Sequence, residues 1–306
     1  MKLEYAIIVK NKTRLESLVE RFNTKAQAKF YIERLGGNFE DYEHEHETFH
    51  HSLNLLQTRL SKIIKNKTVE RVYLPSFIFS DTNLIVVIGQ DGLVANTAKY
   101  SKSCPIVAVN PDKARYDGIL LPFSTNDFTE GVENVIAGRY NARTARFAEA
   151  KLNDGQRLLA FNDLFIGASS HVSARYKISF NGETEEHSSS GLIVSTAAGS
   201  TGWLSSVFNM AYGVAGLFEQ HLTPQKPVLN DNEMLFAVRE PFQSIRTQTG
   251  ITAGLIHQRD QLSVESLMAT GGVIFSDGIE SDFLQFNSGA IATIGLAAET
   301  ATLVLK

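Results

Sequence analysis

Three short segments carry residue types that can do chemistry. The first is Gly89-Gln90-Asp91-Gly92, directly after the apolar run Leu84–Ile88. A glycine loop at the carboxyl end of a parallel strand, opening a helix, lets backbone N–H groups approach a phosphate. An aspartate there would repel the anion, so its chemistry is acceptance of a proton from an attacking hydroxyl, or action through Mg²⁺. Taken alone, the loop also reads as an ordinary strand-to-helix turn, where Gly and Asp are common. The second segment is Phe161-Asn162-Asp163-Leu164-Phe165-Ile166-Gly167. Asn162 and Asp163 offer an amide donor beside a carboxylate acceptor, a match for the vicinal hydroxyls of a ribose. On residue types alone that pair reads as a turn or bulge. The third, Gly191–Trp203, is the most specific: a buried strand runs into a small-residue loop and then a helix. Ser200 or Thr201 is the expected N-cap, and the helix N-terminus attracts anions. The chain has no Gly-Lys dipeptide and no Gly-x-Gly-x-x-Gly, so a P-loop is excluded and the dinucleotide fingerprint is absent.

The elements that must position these loops are of two kinds. In the first half, strand patterns at Tyr5–Lys10, Arg71–Leu74, Leu84–Ile88, Pro105–Val109 and Gly118–Leu121 are short and continuously apolar. That suits strands covered on both faces, as in a parallel sheet. Helical patterns at Thr24–Arg34, Glu47–Lys65 and about Phe128–Phe147 lie between or after them, and a helix between strands implies βαβ units. After about residue 155 the pattern becomes strand-rich: Leu158–Phe161, His171–Phe180, Gly191–Thr196, Met234–Arg239, Gln261–Leu267, Gly272–Phe275 and Ile291–Leu296. Asn181-Gly182 is a strong hairpin signal within it, and only Ser200–Phe218 has a helical pattern there.

Length and composition bound the function. The chain has 306 residues, 43% of them apolar, and 29 Lys+Arg against 33 Asp+Glu give a net charge of −4. That balance argues against a general nucleic-acid binder. No run of eighteen apolar residues suggests a membrane helix, and the start Met1–Lys10 does not have the pattern of a signal peptide. One cysteine, Cys104, fits a reducing compartment. The expectation is a cytoplasmic protein with a small-molecule ligand.

The order Gly-x-Asp-Gly, then Asn-Asp, then Gly-Leu-Ile-Val-Ser-Thr-x-x-Gly-Ser-Thr resembles the NAD kinase family. The late Phe275-Ser276-Asp277-Gly278 is similar to that family's C-terminal Asp-Gly turn. Val109-Asn110-Pro111-Asp112, Phe165-Ile166-Gly167, Ser188-Ser189-Ser190-Gly191 and Trp203 are closer to the mitochondrial-type members. The resemblance implies a Rossmann-like α/β domain over about residues 1–150, a β-sandwich over about 151–286, and a return of about 287–306 to the first domain. It implies a site between the two, and a transfer of phosphate from ATP, or another donor, to the adenosine ribose 2′-hydroxyl of NAD(H), giving NADP. Asp91 takes the role of base, in the phosphate loop of Gly89, Gln90 and Gly92. Asn162 and Asp163 contact ribose, and Ser190, Thr196, Gly199, Ser200, Thr201, Gly202 and Trp203 line the same pocket. Mg²⁺ with ATP is the implied cofactor and a homo-oligomer, dimer or tetramer, the implied assembly.

Three departures distinguish this chain. Gln90 stands where the family loop has a second Gly; if that position had positive φ, the side chain would cost roughly 1–2 kcal/mol. Ser190 replaces an Asp that recognises the nicotinamide amide in common members, and Ala197-Ala198 removes a pocket hydroxyl. The departures keep two alternatives open, a catalytically silent dinucleotide-binding protein and a kinase of another hydroxyl, on a sugar or lipid. Outside the resemblance, His46-Glu47-Thr48-Phe49-His50 matches the H-E-x-x-H pattern of zinc proteases. Its histidines, four apart, share a helix face. No third ligand follows His50, so the stretch Glu40–His51 is expected to be a polar helix start, with contact to phosphate a lesser option. Arg239-Glu240 is expected to be a surface ion pair, with contact to a phosphate across a subunit interface a lesser option, and Cys104 a packing residue.

Overall fold

The computed structural model describes residues 3–218 and 228–306. The chain forms two compact units: residues up to Thr144 together with Ala301–Lys306, and Ala145–Thr300. The sequence alone places these divisions near 150 and 287. The strands β6 and β17, which carry the chain from one unit to the other, are long and continuous, so composition does not change sharply where the units part.

In the first unit the order is β1 (Tyr5–Lys10), α1 (Arg14–Phe22), α2 (Lys25–Arg34), α3 (Glu40–Leu60), β2 (Asn66–Glu70), β3 (Asn83–Ile88), α4 (Asp91–Ala98), β4 (Pro105–Asn110), β5 (Phe123–Ser124) and α5 (Phe128–Ile136). β1 pairs in parallel with β2 and β3, and β4 with β3 and β5. Every residue of β3 and β4 is buried, which is why both read as unbroken apolar runs. Phe49, Leu53, Leu56 and Leu60 of α3 and Val132 and Val135 of α5 join Ile8, Val86 and Val107 in one core. Those spacings of three and four residues place the apolar stripe of each helix against the sheet.

Three expected elements differ. Arg71–Leu74 lies in a 3-10 turn, Arg71–Ser76, and the strand is the polar segment before it, β2. Pro75 lacks a donor for a ladder, Val72 and Tyr73 are exposed, and only Leu74 is buried. Gly118–Leu121 is a turn, with Gly118 at φ +67°. The helix expected to reach Phe147 stops at Ile136, because Gly138 at φ +67° ends it and β6 begins at Ala142. The elements expected from the sequence do not include α1, although Thr13 and Glu16 form a capping box at its start.

The second unit contains β6 (Ala142–Leu152), β7 (Arg157–Ala160), β8 (Asp163–Ala168), β9 (Ala174–Phe180), β10 (Glu183–Ser189), β11 (Leu192–Thr196), α6 (Trp203–Gly216), β12 (Glu233–Val238), β13 (Ala253–His257), β14 (Leu262–Ser266), β15 (Gly272–Ser276), β16 (Ile279–Gln285) and β17 (Ile291–Val304). One sheet runs β10-β9-β14-β17, with β6 and β7 alongside; the other runs β13-β12-β11-β8-β15-β16. Tyr176, Ile178, Val264 and Ile294 from the first face Ile166, Val194, Phe236 and Ile274 from the second in a shared core. The unit is therefore a β-sandwich. Asn181-Gly182, both at positive φ, joins β9 to β10 in the two-residue turn that this dipeptide favours. Thr302 and Leu303, near the end of β17 and already part of the first unit, pair in parallel with β4. Among the described residues no helix is long and apolar enough to cross a membrane.

Candidate functional site

At the end of β3 the chain turns through Gly89 into α4. Gln90 is the N-cap, at φ −102° and ψ 164°, with its side chain exposed. That is ordinary extended backbone, so the condition for strain at this position is not met. Gln90 replaces glycine without backbone cost. Asp91 opens the first turn of α4, where the helix dipole favours a negative charge. Its Oδ1 accepts the N–H of Leu120 at 2.6 Å. The segment Gly118–Leu121 is thus the turn that clasps Asp91. Asn110, at the end of β4, holds this loop by donating from Nδ2 to the Tyr116 carbonyl at 3.0 Å.

In the second unit three loops converge. Asp277 and Gly278, at φ 54° and 69°, form the tight turn between β15 and β16. The Asp277 carboxylate accepts three consecutive backbone N–H groups, from Phe161 at 3.0 Å, Asn162 at 2.6 Å and Asp163 at 3.3 Å. The Asp277 N–H in turn donates to the Asp163 carbonyl at 2.9 Å. On the other side, Thr196 donates from Oγ1 to the Phe161 carbonyl at 2.6 Å, and its N–H donates to the Asn162 carbonyl at 2.9 Å. A Cβ on Gly199 would collide with that same carbonyl. Only glycine admits this approach, which accounts for the small-residue loop seen in the sequence.

Thr196, Gly199, Asn162 and Asp163 are therefore brought together. Thr196 spends its hydroxyl on the loop, accepting also from Ala198 and Gly199 N–H. Ser200 and Thr201 lie in a 3-10 turn, and the N-cap of α6 is Gly202. Ser200 Oγ donates back to the Ala197 carbonyl at 2.9 Å, so it does not cap the helix as expected. Asp277 went unread as a site residue although the Asp-Gly dipeptide signalled its turn; its grip on a loop 115 residues earlier left no mark in local sequence.

Asp163 starts β8 and is 9% exposed, with Oδ1 enclosed and lacking a hydrogen-bond partner. Burial pushes its carboxyl up to about 7; a hydrogen bond from Ser195 lowers it and the nearby Asp277 charge raises it further. The sign is that of a group whose proton is held more tightly in the folded state. Its stabilising contribution is fully present below about pH 4, where both states are protonated, and falls as pH rises toward 7. The full span is about 4 kcal/mol. Urea unfolding from about pH 4 to 8 should show this decline, and Asp163→Asn should flatten it; an unchanged slope in the variant would remove Asp163 as its source.

Beside these loops lies a cavity of about 530 Å³ lined by Phe165, Ser190, Trp203, Arg239, Phe275 and others of the same unit. Trp203 stacks on Phe165 at 5.7 Å and 9°, and the Arg239 guanidinium lies 5.4 Å from the indole. Phe275 stacks on Phe165 at 4.7 Å. Ser190 is exposed, its N–H bonded to the Arg239 carbonyl at 2.9 Å. Arg239 also pairs with Glu240 at 3.7 Å, as expected. This arrangement offers an aromatic wall and a cation to a planar or anionic ligand. Cys104 is buried against the Ser80 carbonyl, a packing role.

A Rossmann-like α/β unit continued by a β-sandwich defines the class. Solved structures share it: yeast NADH kinase complexed with NADH covers all of this chain and 84% of its own at a TM-score of 0.61 and 16% identity. An NAD kinase from Archaeoglobus fulgidus in complex with ATP covers 98% of this chain and 93% of its own, at 0.56 and 16%. The fold is that of NAD kinases. In sequence, the chain is similar to the NAD kinase of Heliobacterium modesticaldum, 32% identical over 149 residues that cover 45% of this chain and 52% of the relative. It is similar to that of Chlorobaculum tepidum, 27% identical over 121 residues, covering 39% and 42%. The match thus spans about half the length of these relatives. No family model matches the chain.

Proposed function

We propose that the protein is a phosphotransferase that moves phosphate from ATP to the adenosine ribose 2′-hydroxyl of NAD or NADH. The observation that carries this reading is the convergence of the Asn162, Gly199 and Asp277 loops beside the Trp203 cavity. It unites, in the second unit, the Asn-Asp, Gly-Ser-Thr and Asp-Gly motifs by which the chain resembles NAD kinases, while the Gly-x-Asp-Gly loop lies in the first unit. Asn162 serves the ribose, and Trp203 with Arg239 holds a ring of the dinucleotide. Asp91, in the first unit, serves as the base for the hydroxyl proton. Phosphoryl transfer asks little covalent work of a protein; alignment and charge screening do most of it. Mg²⁺, bound together with ATP, would supply neutralisation of the charge that develops on the transferred phosphate. The carboxylate of Asp91 supplies the hard oxygen donors that Mg²⁺ accepts, so the residue present fits the ion. The reading extends to a cytoplasmic homo-oligomer, dimer or tetramer. The unstrained Gln90 removes the backbone ground for a silent binding protein.

Trp203 is the only tryptophan, so its fluorescence reports on the cavity directly. Titration with NAD should quench it saturably, and a coupled assay with NAD, ATP and Mg²⁺ should yield NADP. Saturable quenching without any NADP would instead identify a dinucleotide-binding protein. Phosphorylation of a sugar or lipid, with NAD inert, would assign another acceptor.

A further inference from the structure

The H-E-x-x-H stretch acquires a third ligand from a different helix. His46 and His50 share a face of α3, their ring centroids 4.3 Å apart. Glu16 on α1 reaches the same face, with Oε1 3.0 Å from His50 Nε2. One ligand atom from each of Glu16, His46 and His50 lies within 4.8 Å of the other two. Glu16 and His50 are about a quarter to a third exposed, so an ion can enter and the side chains can adjust.

The groups behind these ligands are also in place. His46 Nδ1 lies 2.9 Å from Thr13 Oγ1, which leaves Nε2 as its free ring nitrogen. Glu16 Oε2 accepts the Thr13 N–H at 2.7 Å, which leaves Oε1 for a ligand. Metal-binding histidines and carboxylates are ordinarily oriented by such outer hydrogen bonds. Here both come from one residue, the N-cap of α1.

We propose that Glu16, His46 and His50 form a binding site for a divalent transition ion, zinc foremost, with Thr13 orienting two of the ligands. Two imidazole nitrogens and one carboxylate oxygen are a donor set that zinc takes at about 2.0–2.2 Å. Ligand atoms around such an ion stand roughly 3.3 Å apart, close to the 3.0 Å already present between Glu16 and His50. The fourth position is left to water, beside a cavity of about 460 Å³ that Glu16 and His46 help to line. The ion fastens the start of α1 to α3. The site shares no residue with the proposed kinase chemistry and stands or falls apart from it.

The test uses the full chain, stripped with a chelator and titrated with Zn²⁺ against a chromophoric competitor, and separately with Co²⁺. The expected results are one ion per chain and the visible absorption of four-coordinate Co²⁺ with N/O ligands. His50→Ala and Glu16→Gln should each weaken binding by more than the ~10–100-fold typical of losing an outer partner. Glu16→Gln retains an acceptor for the Thr13 N–H, so the capping box survives and metal-free circular dichroism should match the parent. His44→Ala and His51→Ala, on exposed neighbours, should bind as the parent does. Absence of stoichiometric binding overturns the proposal. So does affinity that is insensitive to His50→Ala and Glu16→Gln, or that follows His44 and His51 instead.

Discussion

Asp91→Asn should lower turnover by about 10²–10⁴-fold, the range a positioned general base contributes, while dinucleotide binding stays intact. The substitution isolates chemistry from architecture. Asp91 Oδ1 accepts the Leu120 N–H at 2.6 Å, and an asparagine carbonyl can accept the same bond. The clasp of the Gly118–Leu121 turn therefore persists, as does the N-terminus of α4. What disappears is the basic oxygen and its negative charge. The measurement is kcat in the NADP-forming assay, set beside the NAD affinity read from Trp203 fluorescence. A kcat within a few-fold of the parent removes Asp91 from the mechanism. A collapse of affinity and kcat together would mark it as a binding residue instead.

Asp277→Ala should destabilise the second unit by about 3–5 kcal/mol, because three backbone N–H groups lose an ionised acceptor at once. The alanine must also adopt φ 54°, a conformation that costs about 1 kcal/mol for a residue with an unassisted Cβ. Asp277→Asn tolerates that φ and keeps one acceptor oxygen, so the order of stability should be Asp, Asn, Ala. Urea midpoints check the ranking. Since the same carboxylate fixes Asn162, NAD affinity in the alanine variant should fall by at least about tenfold, equivalent to 1.4 kcal/mol. Equal midpoints for all three proteins would show that the Phe161–Asp163 loop is held by Thr196 and its neighbours alone.

Much of this molecule is legible in its local sequence where a single physical requirement dominates. β3 and β4 are apolar because both faces are covered, and α3 shows its stripe because one face is. Asn181-Gly182 makes a hairpin because both residues tolerate positive φ. Where two requirements give the same pattern, local reading fails. Gly118–Leu121 is as apolar as a strand, yet Gly118 turns the chain and Leu120 contributes its backbone N–H to Asp91. Asn66–Glu70 is polar yet a strand, because as the outer neighbour of β1 it needs few buried side chains. Gln90 departs from the glycine of the resembling family, and only the backbone angle shows that the exchange is free of strain.

The sequence by itself determined the two kinds of unit and the loops that could touch a nucleotide, since period and turn chemistry are properties of neighbours along the chain. Tertiary structure alone decided that Asp277 grips Asn162, that Trp203 borders a cavity with Arg239, and that Glu16 meets His46 and His50. Each of those is a meeting of residues far apart in the chain. A carboxylate's partners are set by where folding brings donors within about 3 Å, and no local spacing records that distance.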